Sequence, residues 1–576
     1  MIFKALACDF DGTLASEDRI RDSARDALRQ AREAGSRLIL VTGRTFFELT
    51  RVCECLDLFD AVVAENGGVL YFPRDAMIRD QGPAPPTRLL AELDRQGIYY
   101  QVGRVIVGTM RADEPGVREA LNASGVSREL VYNRGHLMLL PMGISKGTGV
   151  ERVLRSLGLS FQDVLALGDA ENDLPFFEAC GWGACPANGV PALKERADWV
   201  FPGENGDGVA AAITGPIIHG LLSGRHSPRH RVAVGWVAET SEPVTIPVRD
   251  VNVLIHGDPL SGKSWLAGAL IERLRAARYS VFVIDPEGDY RVLARLPGVT
   301  GAEILGRASL DQAFAQFDRS PEACVVTDLS ALSHEGKLEL IQAALEKIGD
   351  SRRRSGLPHW VVLDEAHYSL HRSGVADEVL GLEHKGFCLA TYRPSWLRDS
   401  VAKRLDVFML ARTTAAEELR FLHARLGTLA GAERALATLP DLPGGEFVLI
   451  EPDGGAVALT FVAAPRETVH VRHLSKYVES RVPAAEGFVF RGADGRAIAT
   501  ADNLHDFRRV VSTVADAVLA QHAARGDFSR WVLDVFSDRE LARQLRKTEA
   551  RWRRGEIPDL RGAIDRLIAF RYGADA

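Results

Sequence analysis

Residues 1–14, MIFKALACDFDGTL, place a largely apolar run directly before the acidic motif Asp9-Phe10-Asp11. Such a run predicts a buried strand that ends in two carboxylates two residues apart. In α/β sheets the ligand-binding groups lie at the carboxyl ends of the strands. Both carboxylates are therefore expected to face one pocket.

Outward from this strand, residues 1–213 alternate β-rich runs with helical stretches, which predicts a parallel α/β sheet covered by helices. Polar motifs follow the later runs: Thr42-Gly43-Arg44 after RLILV, Lys146 within GISKGTG, and Gly168–Asp173 after DVLAL. Four segments of the chain are thus expected to converge on one edge of the sheet.

A carboxylate can attack a phosphoryl group to give an aspartyl-phosphate while a second carboxylate carries the leaving-group proton. We therefore predict Asp9 as the nucleophile and Asp11 as the acid/base. The positive charge and hydroxyl that phosphoryl transfer also needs are supplied by Lys146 and Thr42, together with Mg²⁺. Taken singly these residues could be turn acids, a surface lysine and a helix cap, and Arg44 fits a structural ion pair as well as a substrate contact.

In this order the four motifs resemble those of the haloacid dehalogenase (HAD) superfamily, and the flanks AENGG (64–68) and GDAENDLPFF (168–177) are similar to its Cof-type branch. The resemblance implies Asp9 as nucleophile, Asp11 as acid/base, and a phosphate site of Thr42, Gly43, Lys146 and Asn172. It also implies Mg²⁺ held by Asp9, Asp169 and the carbonyl of Asp11, with Asp173 in support.

Between about residues 82 and 142 the chain has strands and a helix of its own. The resemblance implies an inserted α+β cap that closes over the substrate. A short cap favours a small phosphorylated metabolite, either a sugar phosphate or a phosphoglycolate-like acid.

A second α/β series runs from 232 to 465, after a Gly/His/Ser/Pro-rich linker at 214–231. Gly257-Asp258-Pro259-Leu260-Ser261-Gly262-Lys263-Ser264 follows an apolar strand, opens a helix, and fits the phosphate-cradling P-loop. Lys263 would reach the β and γ oxygens of ATP, and Ser264 would offer its hydroxyl to Mg²⁺. The later run HWVVLDEAH predicts a Walker B strand, in which Asp364 supports the metal and Glu365 polarises the attacking water.

With DPEGDY (285–290) and Thr391 in ATYRPS, these pieces resemble the HerA/FtsK class of RecA-like ATPases. The resemblance implies ATP as a ligand, γ-phosphate sensing by Thr391, and a homo-oligomer assembled through this domain. Arg393 and Arg412 are candidates for contacts across subunits, and surface ion pairs explain them equally well. The domain has only about 235 residues and no evident DNA-reading element, which disfavours translocation.

Residues 487–576 predict a mostly helical C-terminal domain. Asp502 is a plausible N-cap of its first helix, and the apolar stripe from Phe528 to Phe536 falls at helical spacing, which indicates packing. The expected fold class is therefore α/β, with two doubly wound parallel-sheet domains and a helical C-terminal domain.

Composition and net charge indicate which classes of protein this chain can belong to. A 576-residue chain with 46% hydrophobic and 26% charged residues is expected to form several globular cores. The net charge of −7 disfavours constitutive nucleic-acid binding. The seven cysteines are scattered, which predicts a reducing, cytoplasmic location, and no export signal is evident. No apolar stretch is long enough to predict a membrane span.

The first hypothesis for the whole chain is a phosphatase coupled to an ATP-hydrolysing module. Two alternatives remain. In one, the ATPase is a motor acting on nucleic acid or protein, with an accessory phosphatase. In the other, the P-loop module senses nucleotide without turnover and regulates the phosphatase.

Overall fold

The computed structural model describes residues 3–222, 228–371, 381–452, 457–468, 482, 487–492, 494–536 and 539–572. The N-terminal domain is built on a sheet whose strand order is β14-β13-β12-β1-β4-β5-β6-β7. Its strands are β1 (Ala5–Asp9), β4 (Arg37–Val41), β5 (Ala61–Ala64), β6 (Val69–Phe72), β7 (Met77–Asp80), β12 (Val164–Leu167), β13 (Trp182–Pro186) and β14 (Trp199–Phe201), and β2 (Ala15–Ser16) pairs with β3 (Arg19–Ile20). Strand β1 lies parallel to β4 on one side and to β12 on the other, so the centre of the sheet carries the first acidic motif.

Helices cover both faces of this sheet, as the alternation of apolar runs predicts. They are α1 (Asp22–Glu33), α2 (Phe46–Val52), α5 (Lys146–Leu157), α6 (Leu174–Ala179), α7 (Pro191–Lys194) and α8 (Asn205–Ala212). Two apolar clusters result, one on each face, because neighbouring residues of a strand point to opposite sides. Strands β6 and β7 are antiparallel additions at one edge, so the sheet is mixed there and not wholly parallel.

The inserted segment forms a separate antiparallel sheet with the order β10-β11-β9-β8 and two helices packed on it. Its elements are α3 (Thr87–Arg95), β8 (Gln101–Val102), β9 (Val107–Met110), α4 (Glu114–Ser124), β10 (Glu129–Asn133) and β11 (His136–Leu140). The segment leaves the main sheet after β7 and returns at α5, which is where the sequence predicts a cap.

The second sheet has the order β16-β15-β25-β24-β23-β17-β22-β21-β18-β20-β19. The strands are β15 (Arg231–Trp236), β16 (Pro243–Pro247), β17 (Asn252–His256), β18 (Val281–Asp285), β19 (Val299–Glu303), β20 (Cys324–Asp328), β21 (Trp360–Leu363), β22 (Phe387–Thr391), β23 (Val407–Leu410), β24 (Glu446–Glu451) and β25 (Val457–Ala463). The helices are α9 (Lys263–Ala276), α10 (Arg307–Phe317), α11 (His334–Ser355), α12 (Asp399–Ala402), α13 (Ala416–Leu426) and α14 (Ala432–Ala437).

Strands β17 to β23 of this sheet are parallel, whereas β24, β25, β15 and β16 join it antiparallel. The expectation of a purely parallel sheet therefore needs correction at this end. The connection from β15 to β16 is a short turn, which accounts for that antiparallel pair, since parallel neighbours need a long crossover. The pairing of β15 with β25 joins segments more than 200 residues apart.

The C-terminal part pairs β26 (Phe488–Arg491) with β27 (Ala497–Ala501) and continues as helices. These are α15 (Leu504–Thr513), α16 (Asp516–Arg525), α17 (Asp527–Phe536), α18 (Arg539–Arg553) and α19 (Leu560–Tyr572). The aromatic stripe of α17 packs into the apolar cluster of this part, as expected from its spacing.

Two local predictions differ from the structure. The N-cap of α15 is Asn503, whose side chain accepts a hydrogen bond from the amide of Asp506, and not Asp502. The predicted linker at 214–231 begins inside the first domain, because Ile213 and Ile217 are buried in its core; residues 223–227 of that linker lie outside the described residues. Among the helices that the structure describes, none combines the length and apolarity that crossing a membrane requires.

Candidate functional site

The first site is built at the end of β1, where Asp9 is 3% exposed. The chain then turns at Gly12, which has a φ of 80°. A Cβ atom at this glycine would lie 2.5 Å from a carboxylate oxygen of Asp169. Glycine is therefore needed both for the backbone conformation and for the close approach of the two acidic segments.

Lys146 joins the acidic residues from the N-terminus of α5. Its Nζ donates to Asp9 Oδ1 at 2.5 Å and to Asp173 Oδ1 at 2.6 Å, and the side chain is 1% exposed. Burial alone would lower the pKa of this lysine, but the carboxylates of Asp173 and Asp9 raise it overall. The Lys146 ammonium group thus lies against the predicted nucleophile.

Asp173 and Asp169 complete the cluster from the loop after β12. Asp173 Oδ2 accepts hydrogen bonds from the amides of Asp169 and Ala170, both at 2.9 Å, so Asp173 fixes the shape of this loop. Asp169 Oδ1 accepts a hydrogen bond from the hydroxyl of Thr13 at 3.0 Å. Ligand oxygens of Asp9, Asp169 and Asp173 lie within 4.8 Å of one another, and all three residues are buried.

The electrostatics of the cluster follow from this crowding. Burial and the charge of Asp173 raise the pKa of Asp169 to about 6. Burial, followed by the charge of Asp173, also raises the pKa of Asp9 well above its usual value, although Lys146 opposes the shift. Three buried carboxylates beside one lysine carry excess negative charge, and hard oxygen donors of this kind fit a divalent cation such as Mg²⁺.

The predicted phosphate-binding residues lie beside the acids. Thr42 is buried after β4, and its Oγ1 accepts a hydrogen bond from the amide of Arg44 at 3.1 Å. A Cβ atom on Gly43 would lie 3.6 Å from Asn172 Nδ2, which places these two residues together. Asn172 Nδ2 donates to Asn66 Oδ1 at 3.3 Å, while Asn66 Nδ2 is buried without an acceptor among the described residues.

Asp11 and Arg44 form an ion pair. Arg44 Nε donates to both carboxylate oxygens of Asp11, at 3.0 and 2.9 Å, and Arg44 Nη2 donates to Asp11 Oδ1 at 2.6 Å and to Asp18. Of the two readings of Arg44, the geometry favours the structural ion pair. Arg44 therefore orients the carboxylate of Asp11.

Three residues at this site were missed from the sequence. Glu65 is 1% exposed, and its carboxylate accepts hydrogen bonds from backbone amides of both the core and the cap. Asn66 follows it with a φ of 53°. Arg134 forms the tip of the β10–β11 hairpin and donates to Asp169 Oδ2. The Asn-Arg-Gly-His sequence at 133–136 is a hairpin signal, but no sequence signal places its tip at the acids.

A second set of polar residues lies at the start of α9. Gly262 has a φ of 102° and precedes Lys263, whose Nζ donates to the carbonyl of Asp258 at 2.9 Å. The hydroxyl of Ser264 donates to Asp289 Oδ2 at 2.8 Å. Asp289 was missed as an individual residue, although it lies in the DPEGDY stretch. The carboxylate of Asp285, at the start of that stretch, accepts hydrogen bonds from the backbone amides of residues 288, 289 and 290. It therefore fixes the turn that carries Asp289.

The acids predicted for the Walker B segment follow β21, which β22 separates from β17. Asp364 is 1% exposed and Glu365 is 7% exposed with a φ of 46°. The hydroxyl of Thr391, at the end of β22, lies 3.0 Å from His367 Nδ1. The same ring nitrogen lies 3.6 Å from Glu365 Oε2. The chain thus brings the ends of β17, β21 and β22 to the same edge of the sheet.

The two arginine candidates of this half have local contacts. Arg393 lies 3.5 Å from Glu418 and over the rings of Tyr392 and Trp396. The carbonyl of Arg412 accepts a hydrogen bond from the amide of Asp258, which ties the loop after β17 to the segment after β23. The ring and carboxylate contacts explain the Arg393 side chain within one chain, whereas the role of the Arg412 side chain stays a prediction.

Comparison with known proteins concerns the first of these two sites. The family of haloacid dehalogenase-like hydrolases matches residues 6–89 and 117–213. The phosphoglycolate phosphatase of Methanothermobacter thermautotrophicus is 35% identical over 218 residues, which cover 36% of this chain and 97% of that protein. The phosphoglycolate phosphatase of Archaeoglobus fulgidus is 30% identical over 218 residues, 36% of this chain and 95% of its own length.

Among solved structures, a haloacid dehalogenase-like hydrolase from B. subtilis is similar, with 20% identity and a TM-score of 0.32; the match covers 37% of this chain and 99% of that one. The family match and the identity to the two archaeal enzymes both fall on the domain that carries Asp9, Lys146 and Asp169. Through this N-terminal domain, the chain belongs to the family of haloacid dehalogenase-like hydrolases.

Proposed function

We propose that the N-terminal domain hydrolyses a small phosphomonoester through an aspartyl-phosphate on Asp9. The observation that carries the proposal is the buried cluster in which Lys146 Nζ bridges Asp9 and Asp173 while Asp169 lies beside them. A group of three buried carboxylates is unfavourable for folding alone, since each loses its hydration. Such an arrangement is typical of catalytic sites.

In the proposed reaction a carboxylate oxygen of Asp9 attacks phosphorus, and the bond from phosphorus to the ester oxygen breaks. Asp11 in its acid form gives a proton to the departing alcohol and, as a carboxylate, then takes one from the water that attacks the aspartyl-phosphate. Lys146 faces the nucleophile from within hydrogen-bond distance and offsets the charge of the phosphoryl oxygens. Thr42, Gly43 and Asn172 would hold those oxygens. Asn66 Nδ2, which has no acceptor in the part of the chain that the structure describes, would be an additional donor.

Asp9, Asp169 and the carbonyl of Asp11 would hold Mg²⁺, with Asp173 orienting the Asp169 loop. The ion would supply positive charge that reduces the repulsion between the anionic substrate and the anionic nucleophile. The hard, negatively charged oxygen donors of this cluster support Mg²⁺ as the cofactor.

We propose a phosphoglycolate-like acid as the first substrate to test, since the two archaeal relatives described above are phosphoglycolate phosphatases. A sugar phosphate is the alternative. The test is phosphate release from both substrate classes by the full chain with Mg²⁺, alongside Asp9→Asn and the surface control Asp26→Asn. Asp9→Asn should lower kcat by on the order of 10³-fold or more, and Asp26→Asn should have no effect. Substantial Mg²⁺-dependent turnover by Asp9→Asn would refute the assignment of the nucleophile.

We further propose that the second sheet binds ATP with Mg²⁺ at Gly257, Gly262, Lys263 and Ser264. The contact between Ser264 and Asp289 and the buried Asp364 and Glu365 support this second function, since hydroxyl and carboxylate oxygens there suit a nucleotide-bound Mg²⁺. Thr391 at the end of the neighbouring strand is the candidate γ-phosphate sensor. Hydrolysis, with Glu365 polarising the attacking water, is one version, and a nucleotide sensor without turnover is the other.

Lys263→Ala should weaken Mg-ATP binding, measured by calorimetry, whereas the surface variant Lys347→Ala should not. Glu365→Gln separates the two versions: it should keep binding, and it should abolish ATP hydrolysis only if the module is an ATPase. Stimulation of that hydrolysis by DNA, with steep salt dependence, would favour a HerA/FtsK-like motor with an accessory phosphatase. Failure of the wild-type chain to bind Mg-ATP would refute the nucleotide function.

Contacts between the two halves support coupling of the two activities. The carbonyl of Ala277, directly after α9, accepts a hydrogen bond from Gln162 at 2.8 Å, and Arg278 pairs with Glu151 of the N-terminal domain at 3.0 Å. Gln162 lies just before β12, the strand that leads to Asp169. ATP should therefore alter phosphomonoester turnover in the wild-type chain and leave it unchanged in Lys263→Ala.

A further inference from the structure

The tip of the cap hairpin has an unusual backbone. Asn133 pairs with His136, so Arg134 and Gly135 form the turn between β10 and β11. Arg134 has a φ of 51°, a left-handed conformation that a long side chain adopts at an energetic cost. Residues in such conformations occur in tight turns and are enriched at active sites and ligand clamps.

Arg134 points from the cap into the acidic cluster of the core. Its Nη2 donates to Asp169 Oδ2, a carboxylate that is buried in the core 35 residues further along the chain. The following strand of the same hairpin lies equally close, because a Cβ atom on Gly43 would be 3.2 Å from the sulfur of Met138. The hairpin therefore covers the predicted phosphate site.

The guanidinium of Arg134 also remains open to a ligand. Its side chain is 55% exposed, and the group has five N–H donors, of which Nη2 contacts Asp169. Arg44 differs, since Asp11 and Asp18 both hold it and its side chain is only 24% exposed. Arg134 thus combines contact with the acidic cluster and a side chain that is more than half exposed.

The position of Arg134 also limits the length of a ligand. Its partner Asp169 has a carboxylate oxygen within 4.8 Å of the ligand oxygen of Asp9, where phosphorus would be attacked. A group held by Arg134 can therefore be only a few atoms away from that phosphorus. A planar carboxylate matches the fork of donors that a guanidinium presents.

We propose that Arg134 binds the substrate directly and selects short phosphomonoesters that carry a carboxylate a carbon or two from the ester oxygen. The inference rests on the proposed phosphatase function and specifies its substrate class. When such a substrate is bound, its carboxylate takes the guanidinium donors, and Asp169 is left to its role in holding the cation.

The kinetic test compares 2-phosphoglycolate with 2-hydroxyethyl phosphate, which has a hydroxymethyl group in place of the carboxylate. Arg134→Gln should lower kcat/KM for 2-phosphoglycolate about 10- to 100-fold, the effect of losing a charge-assisted hydrogen-bond pair, and change the neutral ester little. For 2-phosphoglycolate, the kcat/KM of Arg134→Lys should lie between those of the wild type and Arg134→Gln. Lysine keeps the positive charge but lacks the planar pair of N–H donors. The control Arg118→Gln, which removes an exposed cap arginine paired with Glu114, should leave both substrates unchanged. An equal loss on both substrates in Arg134→Gln would overturn the inference while leaving the phosphatase function intact.

A binding test is independent of turnover. Calorimetry of the full chain with Mg²⁺ should show tighter binding of 3-phosphonopropionate than of propylphosphonate, with the preference lost in Arg134→Gln and kept in Arg118→Gln. If neither phosphate ester is hydrolysed, the proposed function fails, and this pair of phosphonates still decides the role of Arg134. Equal affinity of the wild-type chain for both phosphonates refutes the selectivity.

Discussion

Glu65 connects the cap to the core, and replacing it with glutamine should loosen that connection. One carboxylate oxygen accepts the amides of Phe46 at 3.3 Å and Arg104 at 3.0 Å, and the other accepts those of Val105 at 2.8 Å and Ile106 at 3.2 Å. Phe46 belongs to the core, and the other three donors belong to the cap segment. A glutamine keeps one acceptor oxygen and turns an NH₂ group toward the remaining pair of amides.

The magnitude follows from the number of bonds lost. Hydrogen bonds to a charged group each contribute roughly 1.5–3 kcal/mol, so losing two of them predicts about 3–6 kcal/mol less stability for the junction. Glu65 is 1% exposed, so water does not readily replace the lost acceptor. At about 1.4 kcal/mol per factor of ten, amides at 104–106 should exchange hydrogen at least about 100-fold faster if they open locally.

Hydrogen exchange of the full chain, followed by mass spectrometry, measures this directly. Glu48→Gln is the matched control, because Glu48 makes the same kind of carboxylate contact at the start of α2 without touching the cap. Faster exchange confined to the cap junction in Glu65→Gln is the expected result. Unchanged exchange at 104–106, or an even increase throughout the chain, would show that Glu65 does not hold the cap.

Further predictions concern charge and pH. Lys146→Gln should destabilise the N-terminal domain by about 3–5 kcal/mol, since it leaves buried carboxylates without the lysine ammonium group. Added Mg²⁺ should restore part of this stability in a thermal melt. No effect of Mg²⁺ on the melt would contradict the cation site. Burial lowers the pKa of His256 to about 3, against about 6.5 in the unfolded chain. Below about pH 6.5 the unfolded chain binds a proton at this histidine that the folded chain does not bind. The free energy of unfolding therefore falls as the pH is lowered, by about 2 kcal/mol between pH 7 and pH 5. His256→Gln should make unfolding of the second sheet less sensitive to acid, and an unchanged difference between the two pH values would refute this.

The sequence alone determined the strand that ends in Asp9-Phe10-Asp11 and the order of the motifs. Asp9, Thr42 and Asp169 each follow an apolar run, and parallel strands bring their carboxyl ends to one edge, so nearby placement followed from the pattern of strands. The residue pattern also indicated strands and a helix between residues 82 and 142, whereas their interpretation as an inserted cap came from the family resemblance. These features depend on local periodicity, which is readable from residues close together in the chain.

Only the tertiary structure decided which side chains meet across that edge. Arg134 reaches Asp169 and Glu65 holds the cap because the insertion folds back over the sheet, and the angle of that return is not encoded in any single stretch of residues. Arg44 could be a substrate contact or a structural ion pair until its guanidinium was placed on Asp11. The antiparallel end of the second sheet likewise depends on β25 pairing with β15 across more than 200 residues, a contact between distant segments that local sequence patterns do not specify.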